Sequence, residues 1–160
     1  IFAIGFSAGG HLTGCLGSFW HREELTGVPA QKAKPKATVL VYPVITAGEF
    51  AHRGSFHNIL GTQTPDQSLL DAWSLEKQVS ENTVPAFLVH TATDNLVPVE
   101  NTLLFASALS AKKIPLEVHV FPRGHHGLAL ANDITAYSAP DIVPDLARWP
   151  EMAYDWMQRI

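Results

Sequence analysis

The chain has 160 residues, of which 46% are hydrophobic and 16% charged, and a formal net charge of −4 at pH 7. That size suits one domain, residues 1–160, with a sizeable buried core. The acidic balance argues against a nucleic-acid or anionic-membrane partner, no apolar run approaches the ~20 residues that span a bilayer, and the lone Cys15 excludes a disulfide within the chain.

The first expected element is a strand over residues 1–6, Ile-Phe-Ala-Ile-Gly-Phe. A sequence that opens inside an apolar strand, without Met, is expected to be part of a longer chain whose N-terminal strands are missing. Both a cytoplasmic and a secreted location fit it. A helix follows over 8–20, where Gly9, Gly10, Gly14 and Gly17 lower propensity but permit close packing on a sheet. Cys15 reads as a small buried filler there. Thr38–Tyr42 is the second strand, ended by Pro43. Residues 44–64 read as a long connection rich in Gly, His and Ser, of a length that usually carries function. Thr64 as a cap and Pro65 at the first helical position open a helix over 65–72, with a short helix over Leu75–Val79 after it.

Ala86–His90 is the third strand. The helix expected over 99–112 shows Leu103, Ala106 and Leu109 on one face, with Lys112 and Lys113 at the negative end of its dipole. Leu116–Phe121 is the fourth strand. Pro140, Pro144 and Pro150 mark an irregular connection, and the last helix carries a stripe of Trp149, Met152, Ala153, Trp156 and Ile160. Strands alternating with helices imply an α/β fold, a mostly parallel sheet flanked by helices.

The chemistry concentrates at Gly5-Phe6-Ser7-Ala8-Gly9. A serine hydroxyl needs a base to take its proton and donors to hold an oxyanion. Gly-x-Ser-x-Gly between a strand and a helix describes a sharp turn that lifts the serine above the sheet, with glycines relieving the clash at the flanks. Ser7 is the candidate nucleophile, and the Ala8 backbone N–H, at a helix N-terminus, the candidate oxyanion donor. An acid and then a histidine are expected in loops at later strand ends. Asp94 lies four residues past His90, and His126 five past Phe121. His126 would be the general base, and Asp94 would hold its tautomer. Asp71, Asp133, Asp141 and Asp145 are the other acids near loops, but none follows a strand so closely. His125 is the rival to His126, which Gly127 favours by giving its ring an open turn. His11, one turn past Ser7, reads as a structural hydrogen-bonding residue. No spacing of His, Cys or acids suggests a metal site, and the chemistry calls for no cofactor.

These residues carry a resemblance. Gly5 to Leu12, Tyr42-Pro43-Val44-Ile45, His52-Arg53-Gly54-Ser55, Asn58-Ile59-Leu60-Gly61, Ser74-Leu75-Glu76, Pro85 to His90, Asp94 with Val97-Pro98, Gly124 to Leu128, and Trp149-Pro150 with Trp156 span nearly the whole chain. Together they resemble the acetyl xylan esterase-like (BD-FAE-like) branch of the α/β-hydrolase superfamily, distantly similar to prolyl oligopeptidase catalytic domains. The resemblance implies the C-terminal part of that fold. That branch often has a second acid where Thr93 stands, Gly where His125 stands and Phe where Leu128 stands. It also has strands before the nucleophile strand and a His-Gly-Gly-type loop giving a second oxyanion donor. Without them Ile1–Phe6 would be an exposed apolar edge, open to self-association or to the missing segment, and the 160 residues alone are expected to be weakly active or inactive.

The function so implied is a serine carboxylic ester hydrolase that deacetylates small or carbohydrate esters through an acyl-enzyme, with His52, Arg53 and His57 as candidate substrate contacts. The alternatives are a prolyl oligopeptidase-type serine peptidase and a noncatalytic hydrolase-like binding module.

Overall fold

The computed structural model describes residues 1–160. Four strands, β1 (Phe2–Phe6), β2 (Ala37–Val41), β3 (Ala86–Thr91) and β4 (Leu116–Phe121), form one sheet in that order, all parallel. The α/β architecture read from the sequence is the one observed. Every residue of β2 and β3 is buried, because both faces of the sheet are covered there. Side chains alternate between the faces, as the pleat requires. Val39, Val41, Phe87 and Val89 point to one core, and Leu40, Ala86 and Leu88 to the other.

Strands added in one direction, joined by right-handed crossovers, put their connecting helices on a single face. Helices α1 (Ser7–Phe19) and α6 (Glu100–Ala111) accordingly share a core of Phe19, Leu40, Leu88, Phe105 and Leu109. The opposite face falls to the C-terminal helix α7 (Trp149–Arg159), whose Trp149, Ala153 and Trp156 pack on Val39, Phe87 and Val89. Its stripe is the one expected. The glycines of α1 do let it lie close. A Cβ on Gly14 would stand 2.7 Å from Leu75 Cδ1, and one on Gly17 2.9 Å from Thr38 Cγ2. Strand β1 is one edge of the sheet, with Ile4 and Phe6 exposed. Strand β4 is the other, where Glu117 pairs with Arg159 and His119. No helix is long and apolar enough to cross a membrane.

Several expectations are corrected. Two short helices, α2 (Glu23–Thr26) and α3 (Ala30–Ala33), stand before β2. The 44–64 connection is not all loop. Val44 to Ala47 are buried, and α4 (Arg53–Leu60) forms within it, closed by Gly61 at φ +66°. Helix α5 (Gln67–Trp73) starts after Asp66, so neither Thr64 nor Pro65 takes the role assigned to it. Asp66 has the extended backbone of an N-cap, one of the residue types that favour that position. On α6 the face read as Leu103, Ala106 and Leu109 is rotated. Leu103 is exposed, while Asn101, Thr102, Phe105 and Leu109 are buried. The apolar count missed this because two of the buried residues are polar and internally satisfied. Asn101 accepts from the Ile45 and Thr46 N–H groups and donates to the Phe50 and Pro98 carbonyls.

Candidate active site

In a parallel sheet all strand C-termini reach one rim. Ser7 follows β1, Asp94 follows β3 and His126 follows β4. Ser7 sits at φ +53°, in the left-handed region that a non-glycine residue enters at a cost. Only a neighbour without a side chain allows such a turn. A Cβ on Gly5 would lie 2.3 Å from both the Gly9 carbonyl oxygen and Thr13 Oγ1. Gly9 differs from expectation, since a Cβ there meets nothing within 4 Å. Gly10 is the second close approach, with Pro43 Cβ 2.8 Å from its would-be Cβ. The Val44 N–H holds the Ser7 carbonyl at 3.0 Å. Ala8 stands in the first turn of α1, where N–H groups lack intrahelical acceptors and the helix dipole is positive.

The structure brings the three candidate residues into one hydrogen-bonded line. Ser7 Oγ lies 2.7 Å from His126 Nε2, and His126 Nδ1 lies 2.7 Å from Asp94 Oδ2. A carboxylate only accepts, so Nδ1 carries the proton and Nε2 faces the hydroxyl as an acceptor. The Asp94 side chain is fully buried. Its Oδ1 accepts from the Leu96 and Val97 N–H groups at 3.0 and 2.9 Å. Burial alone would raise its pKa, but the hydrogen bonds from His126, His90, Val97 and Leu96 outweigh that and hold the carboxyl well below the usual range. Asp71 instead pairs with Lys77, and Asp141 with His125.

Sequence reasoning passed over the supports of this line. His90 Nε2 donates to the Val97 carbonyl at 2.9 Å and leans on Asp94 Oδ2 at 3.3 Å, while its Nδ1 accepts from the Thr102 hydroxyl at 2.8 Å. Tyr42, at φ +37°, sets its ring edge-on to the His126 ring with centroids 4.9 Å apart. Its hydroxyl accepts from the Ala129 N–H at 3.1 Å, and Trp149 Nε1 donates to the Ala129 carbonyl at 2.9 Å. Thr93, where a second acid often stands in the resembling branch, clamps Gly124. Its hydroxyl accepts from the Gly124 N–H at 2.9 Å and donates to the Gly124 carbonyl at 3.1 Å. A carboxylate could do only the first.

His11 is buried and neutral. Burial lowers its pKa, Nε2 donates to the Trp73 carbonyl, and Nδ1 faces Cys15 Sγ. Burial pushes the Cys15 thiol up to about 12, so it stays protonated as packing. A cavity of about 330 Å³ beside Ala8 is lined by His11, Val44, Phe56, Asn58 and Ile59. None of the candidate substrate contacts lines it. Arg53 and His57 line a second cavity of about 400 Å³, with Gln63, Thr64 and the same Phe56. His52 pairs with Ser55 Oγ at 2.8 Å. No group of three His, Cys, Asp or Glu residues is placed to hold a metal ion.

Known proteins share both sequence and fold with this chain. A family model described as BD-FAE matches residues 1–109. An endo-1,4-beta-xylanase B of Butyrivibrio fibrisolvens is 46% identical over 134 residues, which is 81% of this chain and 21% of that protein. An acetylxylan esterase of Xylanibacter ruminicola is 29% identical over 150 residues, 91% of this chain and 29% of that one. The solved acetyl ester-xyloside bifunctional hydrolase of Caldicellulosiruptor lactoaceticus superposes with a TM-score of 0.81 at 41% identity, covering 98% of this chain and 55% of that one. The chain thus spans under a third of the curated relatives it matches. With the family model reaching across β1, β2, β3 and most of α6, the chain belongs to the BD-FAE family of α/β-hydrolases.

Proposed function

We propose that this protein is a serine carboxylic ester hydrolase that removes acetyl groups from small or carbohydrate esters. The observation that carries the reading is the unbroken line from Ser7 Oγ through His126 to the buried Asp94, with both links at 2.7 Å. The names of its relatives, an acetylxylan esterase and an acetyl ester-xyloside hydrolase, support the ester class.

In this mechanism Ser7 Oγ attacks the ester carbonyl carbon while its proton passes to His126 Nε2. The carbonyl oxygen becomes an oxyanion facing the Ala8 N–H, and Asp94 stabilises the imidazolium. The tetrahedral intermediate collapses, the bond to the alcohol oxygen breaks, and His126 returns its proton to that oxygen. Water then attacks acetyl-Ser7, giving a proton to His126. The second collapse breaks the bond to Ser7 Oγ, which takes the proton back from His126, and releases acetic acid, which ionises to acetate. The cavity beside Ala8, walled by Val44, Phe56 and Ile59, is the one offered to the acyl group. Arg53 and His57, in the second cavity lined by Phe56, are the side chains offered to the alcohol or sugar part, and His52 braces the start of their helix through Ser55.

The test, made in the full-length protein, is labelling with a fluorophosphonate and turnover of a chromogenic acetyl ester. Ser7 takes the label, Ser7→Ala loses both label and roughly 10⁶-fold in kcat, and acetyl esters are cleaved in preference to dipeptide amides. Labelling elsewhere, or unchanged turnover in Ser7→Ala, overturns the reading.

A further inference from the structure

The residue beside the general base has no role in the line just described, yet both its ring nitrogens are engaged. His125 Nδ1 lies 2.8 Å from the carbonyl oxygen of His126, and its Nε2 lies 2.9 Å from Asp141 Oδ1. A carbonyl cannot donate. Asp141 Oδ2 accepts from the Tyr137 and Ser138 N–H groups at 2.9 Å each, which fits an ionised carboxylate. Two acceptors require two N–H donors, and an imidazole has two only when it is protonated.

We propose that His125, as an imidazolium clasped between the His126 carbonyl and Asp141, is a positioning residue that holds the general base in register with Ser7. The proposal rests on the ester-hydrolase reading of the same site. The backbone around His126 is where such support counts. Gly124, Gly127, Ala129 and Ala131 all have positive φ, so four of eight residues over 124–131 lie in a region that regular structure does not stabilise. Tyr42 and Trp149 fix the far side of His126 at Ala129, and Thr91 and Thr93 fix the near side at Gly124. The peptide carbonyl of His126 itself is tied by His125.

The charges facing His125 are Asp141, from the turn at 139–141, and Asp94, from the turn after β3. Both are anionic. The hydrogen bond to Asp141, then the one to the His126 carbonyl, raises the His125 pKa, and the hydrogen bond from His125 lowers that of Asp141. The folded-state value lies above the unfolded one. The clasp is therefore complete below the ordinary histidine value and is lost as pH rises through the raised value. Loss of the His125 proton sets a fall on the alkaline side.

The experiment is a pH profile of kcat for acetyl-ester hydrolysis in the protein, in His125→Gln and in Asp141→Asn. The protein shows an alkaline fall of about 3- to 10-fold, the scale of one hydrogen bond at a reacting group. Both variants lose that fall, begin at the lower rate with KM little changed, and the double variant is no slower than either one. A wild-type alkaline limb retained in His125→Gln overturns the proposal, as does additive loss in the double variant. An NMR titration of the His125 ring is the readout independent of turnover. A pKa above the ordinary histidine value supports the clasp, and one at or below it overturns it. If the full-length protein hydrolyses no ester, the functional reading fails and the positioning role with it, whereas the titration still reports on the clasp.

Discussion

The turn that carries Asp94 and the loop that carries His126 meet at one rim, but they are held in opposite ways. The acid turn is short, fully buried at its carboxylate, and satisfied by Leu96 and Val97 within the turn and by His90 on the strand that leads into it. The histidine loop is partly exposed, carries four positive-φ residues, and is held from outside by Thr93, Tyr42, Trp149 and Asp141. One partner is built into the core, and the other is suspended from several distant elements. The difference follows from their chemistry. In the proposed mechanism the acid stays ionised and needs a fixed set of donors, whereas the base shuttles a proton and keeps one ring edge toward the substrate.

The comparison breaks most sharply at the acid. Asp94→Asn keeps the shape but offers His126 the wrong tautomer, and kcat is expected to fall by roughly 10⁴, measured with an acetyl ester at saturating substrate. The same carboxylate governs acid stability. Its folded pKa is depressed, so its contribution is whole above the unfolded value of about 3.9 and is lost as pH falls through the native one. Urea unfolding should therefore show the gap between the protein and Asp94→Asn narrowing as the pH drops below about 4.

Within the suspended loop the largest effect is expected at Gly124. Its φ is +147°, and a Cβ would stand 2.8 Å from both Thr91 Cγ2 and Leu128 Cδ1. Gly124→Ala should cost about 1–3 kcal/mol by urea unfolding, more than any single change to the loop's polar clamps. Tyr42→Phe leaves the Ala129 N–H without its acceptor and frees one end of the loop. A fall of about 5- to 10-fold in kcat is expected, equivalent to one hydrogen bond, with KM nearly constant. The smallest effect separates hydroxyl from bulk. Thr93→Ser keeps both bonds to Gly124 and should change stability by less than about 0.5 kcal/mol, while Thr93→Val loses both and should cost about 1–2 kcal/mol. If Thr93→Val proves as mild as Thr93→Ser, the loop is not hung from the acid turn.

Much of the architecture was legible because it repeats simple periods. The buried strands are continuous apolar runs, and α7 shows its stripe at helical spacing. The face of α6 was not legible. Asn101 and Thr102 are buried as polar residues, and no apolar count finds a side chain whose value lies in the backbone it ties down. Helix α4 escaped for a related reason: with only Phe56 buried, it carries too little apolar signal to stand out from a loop. At the site, Gly5 was read correctly as a close approach. Gly9 was not, since the space at its would-be Cβ depends on elements far away in the chain.

By itself the sequence determined the order of strands and helices and the positions of Ser7, Asp94 and His126 just past three strand ends. Those are local facts of spacing, turn chemistry and apolar period. Only the tertiary structure decided which histidine nitrogen meets which oxygen. It also set His90 and Thr102 behind the acid, Tyr42 and Trp149 behind the base, and Arg53 and His57 in a cavity apart from Ala8. These pairs are distant in sequence, and a hydrogen bond is decided by tenths of an ångström, which no spacing along the chain encodes.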